Sequence, residues 1–142
     1  MRTVKDGSGT PYLLVKRSGE EWLVRDPDTG RETYRPAAEF SLVEDRSPLA
    51  VTATAVPKSV RAVLTAVRTE QSLGLLVALD RQGPLSVRSL LDRYEYCESD
   101  LHGQLAEFRT AGLIEERQVA GERGYATTAL ADEAIAILAE EA

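Results

Sequence analysis

The chain has 142 residues, 43% of them hydrophobic, and carries 17 basic against 23 acidic side chains for a net charge of −6. That is room for one domain or two small ones, with enough apolar material for a packed core, which excludes a disordered chain. No apolar run approaches the roughly 18 residues that span a bilayer, and Met1-Arg2-Thr3 does not lead into a signal-peptide core, so no membrane partner and a cytoplasmic location are expected. Cys97 is the only cysteine, which excludes an internal disulfide and a multi-cysteine zinc site. Arg outnumbers Lys 14 to 3. Together with the acidic surplus, the low Lys content fits a salt-adapted cytoplasm; a GC-rich genome alone would also favour Arg over Lys.

Residues 1–46 read as an antiparallel β-meander or small open barrel. Asp6-Gly7-Ser8-Gly9, Ser18-Gly19 and Pro27-Asp28-Thr29-Gly30 are turn signals. Between and after them, 11–17, 20–26 and 31–35 are short runs rich in Tyr, Val, Leu, Thr or Trp. Strict alternation puts Tyr12, Leu14 and Lys16 on one face and Leu13, Val15 and Arg17 on the other. Tyr12 and Trp22 then fill a small core. One helical turn over 36–39 and a last strand over 40–44 complete the segment. Two prolines among small residues make 47–57 a linker.

From residue 58 the period changes. Val60, Val63, Leu64 and Val67 fall at helical spacing, as do Leu73, Leu76, Val77 and Leu79, in one bent helix or two, with Gly74 as a kink point. Gly83-Pro84 stops the run. Ser86 is an N-cap, Leu85 and Leu90 sit at staple spacing around it, and Val87, Leu90 and Leu91 line one helical face. A tight segment, Tyr94–Cys97, leads to a second helix with Leu101, Leu105 and Phe108 on its inner face and Gly112 closing it. Residues 113–120 read as a strand, Gly121-Glu122-Arg123-Gly124 as a tight turn and 125–127 as the returning strand. Thr128 caps a last helix with Leu130, Ala134, Ile137 and Leu138 on one stripe.

This order resembles the winged helix-turn-helix proteins, in particular MarR- and ArsR-like transcription regulators. The residues that carry the resemblance are Pro84-Leu85-Ser86-Val87, the run Leu101-x3-Leu105-x2-Phe108-x2-Ala111-Gly112-Leu113-Ile114, and Gly121–Tyr125 at the wing tip. The chain as a whole is similar to a haloarchaeal group with a β-rich segment ahead of a winged helix, and no function comes with that likeness. The expected fold is therefore α+β: a β-rich domain over 1–46, a linker over 47–57 and a winged helix-turn-helix domain over 58–142. The resemblance implies that Ser99, His102, Gly103 and Ala106 meet the major groove. Families of this kind usually carry Arg, Lys, Asn or Gln at such positions, and here the surface is small and nearly uncharged. Arg117, Gln118 and Arg123 on the wing, with Arg88 and Arg93 on the preceding helix, are the candidates for phosphate or minor-groove contacts.

Residues 58–142 hold 9 basic and 14 acidic side chains against 8 and 9 in residues 1–57, so the candidate DNA-binding half is the more acidic one. At molar salt, screening shrinks to about 3 Å, so an acidic protein can still hold DNA through close contacts. His102 has no second His or Cys beside it, which argues against a metal. Cys97 is expected to be buried as a small apolar residue. No phosphate loop, His-Glu metal spacing or nucleophile elbow appears, so neither catalysis nor a cofactor is expected. The expected function is DNA-binding regulation or chromosome association as a homodimer through the helices at 58–68 and 130–140, with double-stranded DNA as partner. The alternative is a winged helix serving as an interaction module for a protein partner.

Overall fold

The structure is a computed structural model describing residues 1–140. The chain divides into two compact units, Met1–Pro57 and Lys58 onward.

In the first unit, β1 (Arg2–Lys5), β2 (Pro11–Ser18), β3 (Glu21–Arg25), β4 (Glu32–Pro36) and β5 (Ser41–Val43) form one antiparallel sheet in the order β4-β3-β2-β1-β5. Each of β1 to β3 pairs with the next strand, and β5 returns beside β1. The sheet is open, with β4 and β5 at its edges. The first turn is built by the Asp6 carboxylate, which accepts from the Ser8 and Thr10 amides at 3.0 Å each and from the Ser8 hydroxyl at 2.7 Å. Those bonds favour the charged form and hold the Asp6 carboxyl below its ordinary range. Val4, Leu14, Val24 and Phe40 make the core of one face, with Tyr12 and Trp22 packed against it.

Strict alternation fails at one place in this sheet. A register shift between Leu14 and Lys16 brings Arg17 opposite Trp22, and its guanidinium lies 5.1 Å from the centroid of that ring. The bulge returns Arg17 to the face that carries Leu14 and Val24, and turns Lys16 to the other. The stretch 47–57, expected as a linker, is folded into the same unit. Ser47 accepts from the Ala50 amide at 3.0 Å and caps α1 (Pro48–Thr52), with Pro at the first helical position. Val51, fully buried, packs this helix onto β1 and β2. The prolines mark a helix start here, and one apolar side chain at the right spacing is enough to dock it.

The second unit contains α2 (Lys58–Ala66), α3 (Glu70–Gln82), β6 (Leu85–Ser86), α4 (Val87–Arg93), α5 (Glu98–Thr110), β7 (Ile114–Val119), β8 (Glu122–Thr127) and α6 (Ala129–Leu138). β6, β8 and β7 form a three-stranded antiparallel sheet in that order. This is the topology of a winged helix: three helices with a short strand between the first two, then a β-hairpin. The apolar run from 58 to 82 is two helices, broken by a capping box at Thr69 and Ser72 and not at Gly74. Leu76, Leu79, Leu90, Leu101, Leu105, Phe108 and Leu113 are all 1% exposed or less and fill the core between α3, α4, α5 and the sheet.

α2 packs along α6. The stripe expected to be free for a partner is therefore mostly used within the chain: Val60 and Val63 are buried, Val63 in the core that also holds Ala131, Ala134 and Ile135 of α6. On α6 the inner face is Ala131, Ala134 and Ile135, one step round from the expected stripe. Ile137 and Leu138 stay about half exposed and Leu64 is 61% exposed.

Candidate nucleic-acid interface

Two elements frame the candidate surface, and local sequence fixes both. The Ser86 hydroxyl accepts from the Ser89 amide at 3.0 Å and starts α4, and Leu85 and Leu90, at staple spacing, are both buried. α5 ends in a Schellman arrangement: the Leu113 amide donates to the Phe108 carbonyl at 2.9 Å and the Gly112 amide to Arg109 at 3.0 Å, with Gly112 at φ +77°. Leu101, Leu105 and Phe108 point inward as the spacing predicts. The outward face of α5 carries Ser99, His102, Gly103 and Ala106, all exposed. Gly103 sits mid-helix, and an added Cβ there would meet no atom within 4 Å.

The wing differs from its predicted form. The reversal is made by Ala120 and Gly121, at φ +51° and +81°, so the hairpin has a two-residue turn. Glu122 already belongs to β8, and Arg123 lies in the strand opposite Gln118. The GERG segment reads as a turn because of its two glycines, but only Gly121 serves the turn. Gly124 is buried where β6 crosses β8.

Carboxylates hold most of the cationic candidates. Arg117 pairs with Glu115 at 2.9 Å, Arg88 with Glu122 at 3.4 Å and Arg123 with Glu116 at 2.7 Å. Arg123 also donates to the Tyr125 hydroxyl at 2.8 Å, and that bond, ahead of the Glu116 charge, raises the basicity of its guanidinium. Arg93 donates to the Gln82 side chain at 2.8 Å. The ring of His102 stands 3.8 Å from the Glu98 carboxylate one turn back, too far for a hydrogen bond. Exposed pairs like these contribute only about 0–1 kcal/mol each, so a phosphate oxygen can replace a carboxylate as partner. What the pairing does change is the local charge, which is close to balanced over the whole wing.

The sequence reading missed Glu116. One of its oxygens binds Arg123 and the other stands 3.5 Å from Arg109 of α5, so a single carboxylate ties the wing to the helix beside it. The alternation of acid and base in Glu116-Arg117 and Glu122-Arg123 is the signal for it, but only the β7–β8 register shows which charge meets which. Cys97 is exposed, against expectation, because it is the N-cap of α5 and lies outside the core. Its thiol lies 3.2 Å from the Ser99 hydroxyl, and that hydrogen bond, helped by the amides of Asp100 and Ser99, lowers its pKa.

Residues 1–139 match the family of unknown function DUF7346. The chain belongs to that family. No curated protein matches it in sequence. Among solved structures it is similar to HlyU from Vibrio cholerae N16961, at 29% identity and a TM-score of 0.49, over 58% of this chain and 89% of that one. It is also similar to the transcriptional regulator HlyU from Vibrio vulnificus CMCP6, at 27% identity and a TM-score of 0.47, over 56% and 83% of the two chains. An ArsR-like transcriptional regulator from Rhodococcus sp. RHA1 matches at 22% identity and a TM-score of 0.47, over 58% and 77%. No helix among the described residues is long and apolar enough to cross a membrane. No group of three or more His, Cys, Asp or Glu side chains among them is placed to hold a metal.

Proposed function

We propose that this protein is a non-catalytic DNA-binding regulator of a salt-adapted, haloarchaeal-type cytoplasm, and that it reads duplex DNA with α5 and steadies it with the wing. The observation that carries this reading is the outward face of α5. Glycine in a helix interior costs about 1 kcal/mol relative to alanine. At Gly103 neither a positive φ nor a neighbour within 4 Å calls for glycine. Flanked by Ser99, His102 and Ala106, it leaves a shallow, uncharged strip where another surface can approach the helix closely. The topology around it, a helix-turn-helix with a hairpin alongside, is the one that presents such a helix to a major groove. Ser99 and His102 supply the hydrogen-bonding groups for base edges, and Arg88, Arg93, Arg117, Gln118 and Arg123 those for the backbone.

The protein acts as a homodimer in this reading, through the apolar groups left outside the core, Leu64 on α2 and Ile137 and Leu138 on α6. Two copies would then present two recognition helices to a symmetric site. Light scattering at micromolar concentration and high salt should give twice the mass of the chain, and a monomer there removes the dimer.

The test is a titration of labelled duplexes at several KCl concentrations into the molar range. Gly103→Leu should abolish binding without lowering the melting temperature, because leucine is the better helix former and its Cβ meets no atom within 4 Å. Binding by that variant equal to the parent's would show that α5 is not the contact. A second reading, a winged helix that binds a protein, is favoured by the near-balanced charge of the wing. If the parent protein binds no duplex at any salt, that reading replaces the first.

A further inference from the structure

A groove of about 650 Å³ runs along α3, walled on its other side by the extended segment 94–96 that leads from α4 to α5. Its floor on α3 is apolar, Gly74, Leu75, Val77 and Ala78, with Gly74 and Ala78 one helical turn apart. Its far wall carries the rings of Tyr94 and Tyr96. The polar groups are at the ends. At one, the Gln71 amide donates to the Glu95 carbonyl at 3.3 Å, and at the other Gln82 donates to the Tyr94 hydroxyl at 3.1 Å. Between Gln71 and Gln82 the helix rises roughly 16 Å. Arg81 and Glu95 put one charge of each sign on the lining, so the groove favours neither anion nor cation.

Gly74 supplies a second observation. It sits inside α3, and after proline glycine is the poorest helix former. Its backbone has no positive φ, and a Cβ would meet nothing within 4 Å. Nothing within the chain calls for glycine there, but a molecule lying in the groove would come against the bare helix backbone at that point.

We propose that this groove binds a small, uncharged, elongated aromatic molecule with a polar group at each end. The flat body lies between the backbone at Gly74 and the tyrosine rings. Its polar ends take the hydrogen bonds of Gln71 and Gln82. The volume is that of ordinary small-molecule sites. The binding does not rest on the DNA-binding reading and is tested without DNA.

The probe is the neutral fluorescent dye 4,4′-dihydroxystilbene, an elongated aromatic with a hydroxyl at each end, followed by its fluorescence on titration with the full chain. Saturable binding of one dye per chain is expected, with slower amide exchange over 94–97 in the saturated protein. Gly74→Leu puts a side chain into the groove from a Cβ that meets no atom within 4 Å, and should weaken binding roughly tenfold or more; leucine is the better helix former, so the variant should melt no lower than the parent. Tyr94→Ala, at a partly exposed position, should weaken it as well. Leu49→Ala, on exposed apolar surface outside the groove, should leave it unchanged. Absence of dye binding by the parent, equal binding by Gly74→Leu, or loss through Leu49→Ala would each overturn the proposal.

Discussion

A Cβ on Gly124 would lie 2.5 Å from the carbonyl oxygen of Leu85 and 2.8 Å from Cγ2 of Val119. The cause is the pairing of β6 with β8, which sets Ser86 opposite Gly124 and Leu85 opposite Tyr125. Only a residue without a side chain lets the strand that starts α4 lie this close to the wing. Gly124→Ala should therefore destabilise the protein by about 1–3 kcal/mol, the usual cost of overpacking, in urea denaturation. Amide exchange around Leu85 and Ser86 should speed up at the same time. Gly121→Ala provides the contrast: it meets no atom, but φ is +81°, so it should cost about 1–2 kcal/mol and leave exchange at Leu85 unchanged. The same exchange pattern in both variants would mean that the contact with Leu85 is not what constrains position 124.

Leu105→Ala should cost about 2–5 kcal/mol. Its side chain is 1% exposed in the core that also holds Leu101, Phe108 and Leu113, so truncation leaves a cavity that rigid helices cannot close. The urea midpoint should fall with an unchanged slope. Coincident unfolding curves for mutant and parent would show that α5 is not packed in this way.

The second unit is largely legible in the sequence because its signals are local. Caps at Ser86 and Thr128, the Schellman close at Gly112 and the spacing of Leu101, Leu105 and Phe108 each act within a few residues, and each is seen in the structure. The errors fall where distant residues decide. Nothing near Gly124 in sequence says that Leu85 will pack over it, so its glycine reads as part of the wing turn, which in fact consists of Ala120 and Gly121. The packing of Val63 into the core shared with α6, and the bulge that turns Arg17 onto Trp22, depend on pairing and packing in the same way. At the candidate interface the residue types are readable, but the pairing of Arg117, Arg123 and Arg88 with Glu115, Glu116 and Glu122 follows from the hairpin register.

The Cys97 thiol should titrate lower than an ordinary cysteine, since the Ser99 hydroxyl and the amides that open α5 stabilise its thiolate. A thiolate is the reacting form, so alkylation by iodoacetamide should rise with pH and level off at a lower pH than for a free cysteine. Ser99→Ala removes the largest of these contributions and should move the profile back up. A profile that stays in place in Ser99→Ala would exclude the hydroxyl as its cause.

The carboxylates of the wing should work against DNA binding, and removing them should improve it. Glu115, Glu116 and Glu122 each hold an arginine, and in the proposed DNA-binding mode each keeps that arginine from a phosphate and sets a negative charge beside the duplex. Glu115→Gln, Glu116→Gln and Glu122→Gln together raise the net charge by three and free Arg117, Arg123 and Arg88. Each further phosphate neutralised adds about 0.9 to the slope of log affinity against log salt. The triple variant should therefore bind all duplexes more tightly at low KCl, with a steeper slope, and converge on the parent in molar salt, where screening removes the difference. Arg117→Ala with Arg123→Ala should act in the opposite sense, weakening every duplex and lowering the slope by roughly 1–2 units. His102→Ala should instead change the preference among sequences, by roughly 1–3 kcal/mol for a lost base contact, and leave the salt slope alone. The three sets are compared by titrating the same labelled duplexes across KCl concentrations. If the glutamine variant binds more tightly while the double arginine variant binds like the parent, DNA lies near the wing but these arginines do not hold it. If neither differs from the parent in a protein that binds DNA, the wing stands away from the duplex.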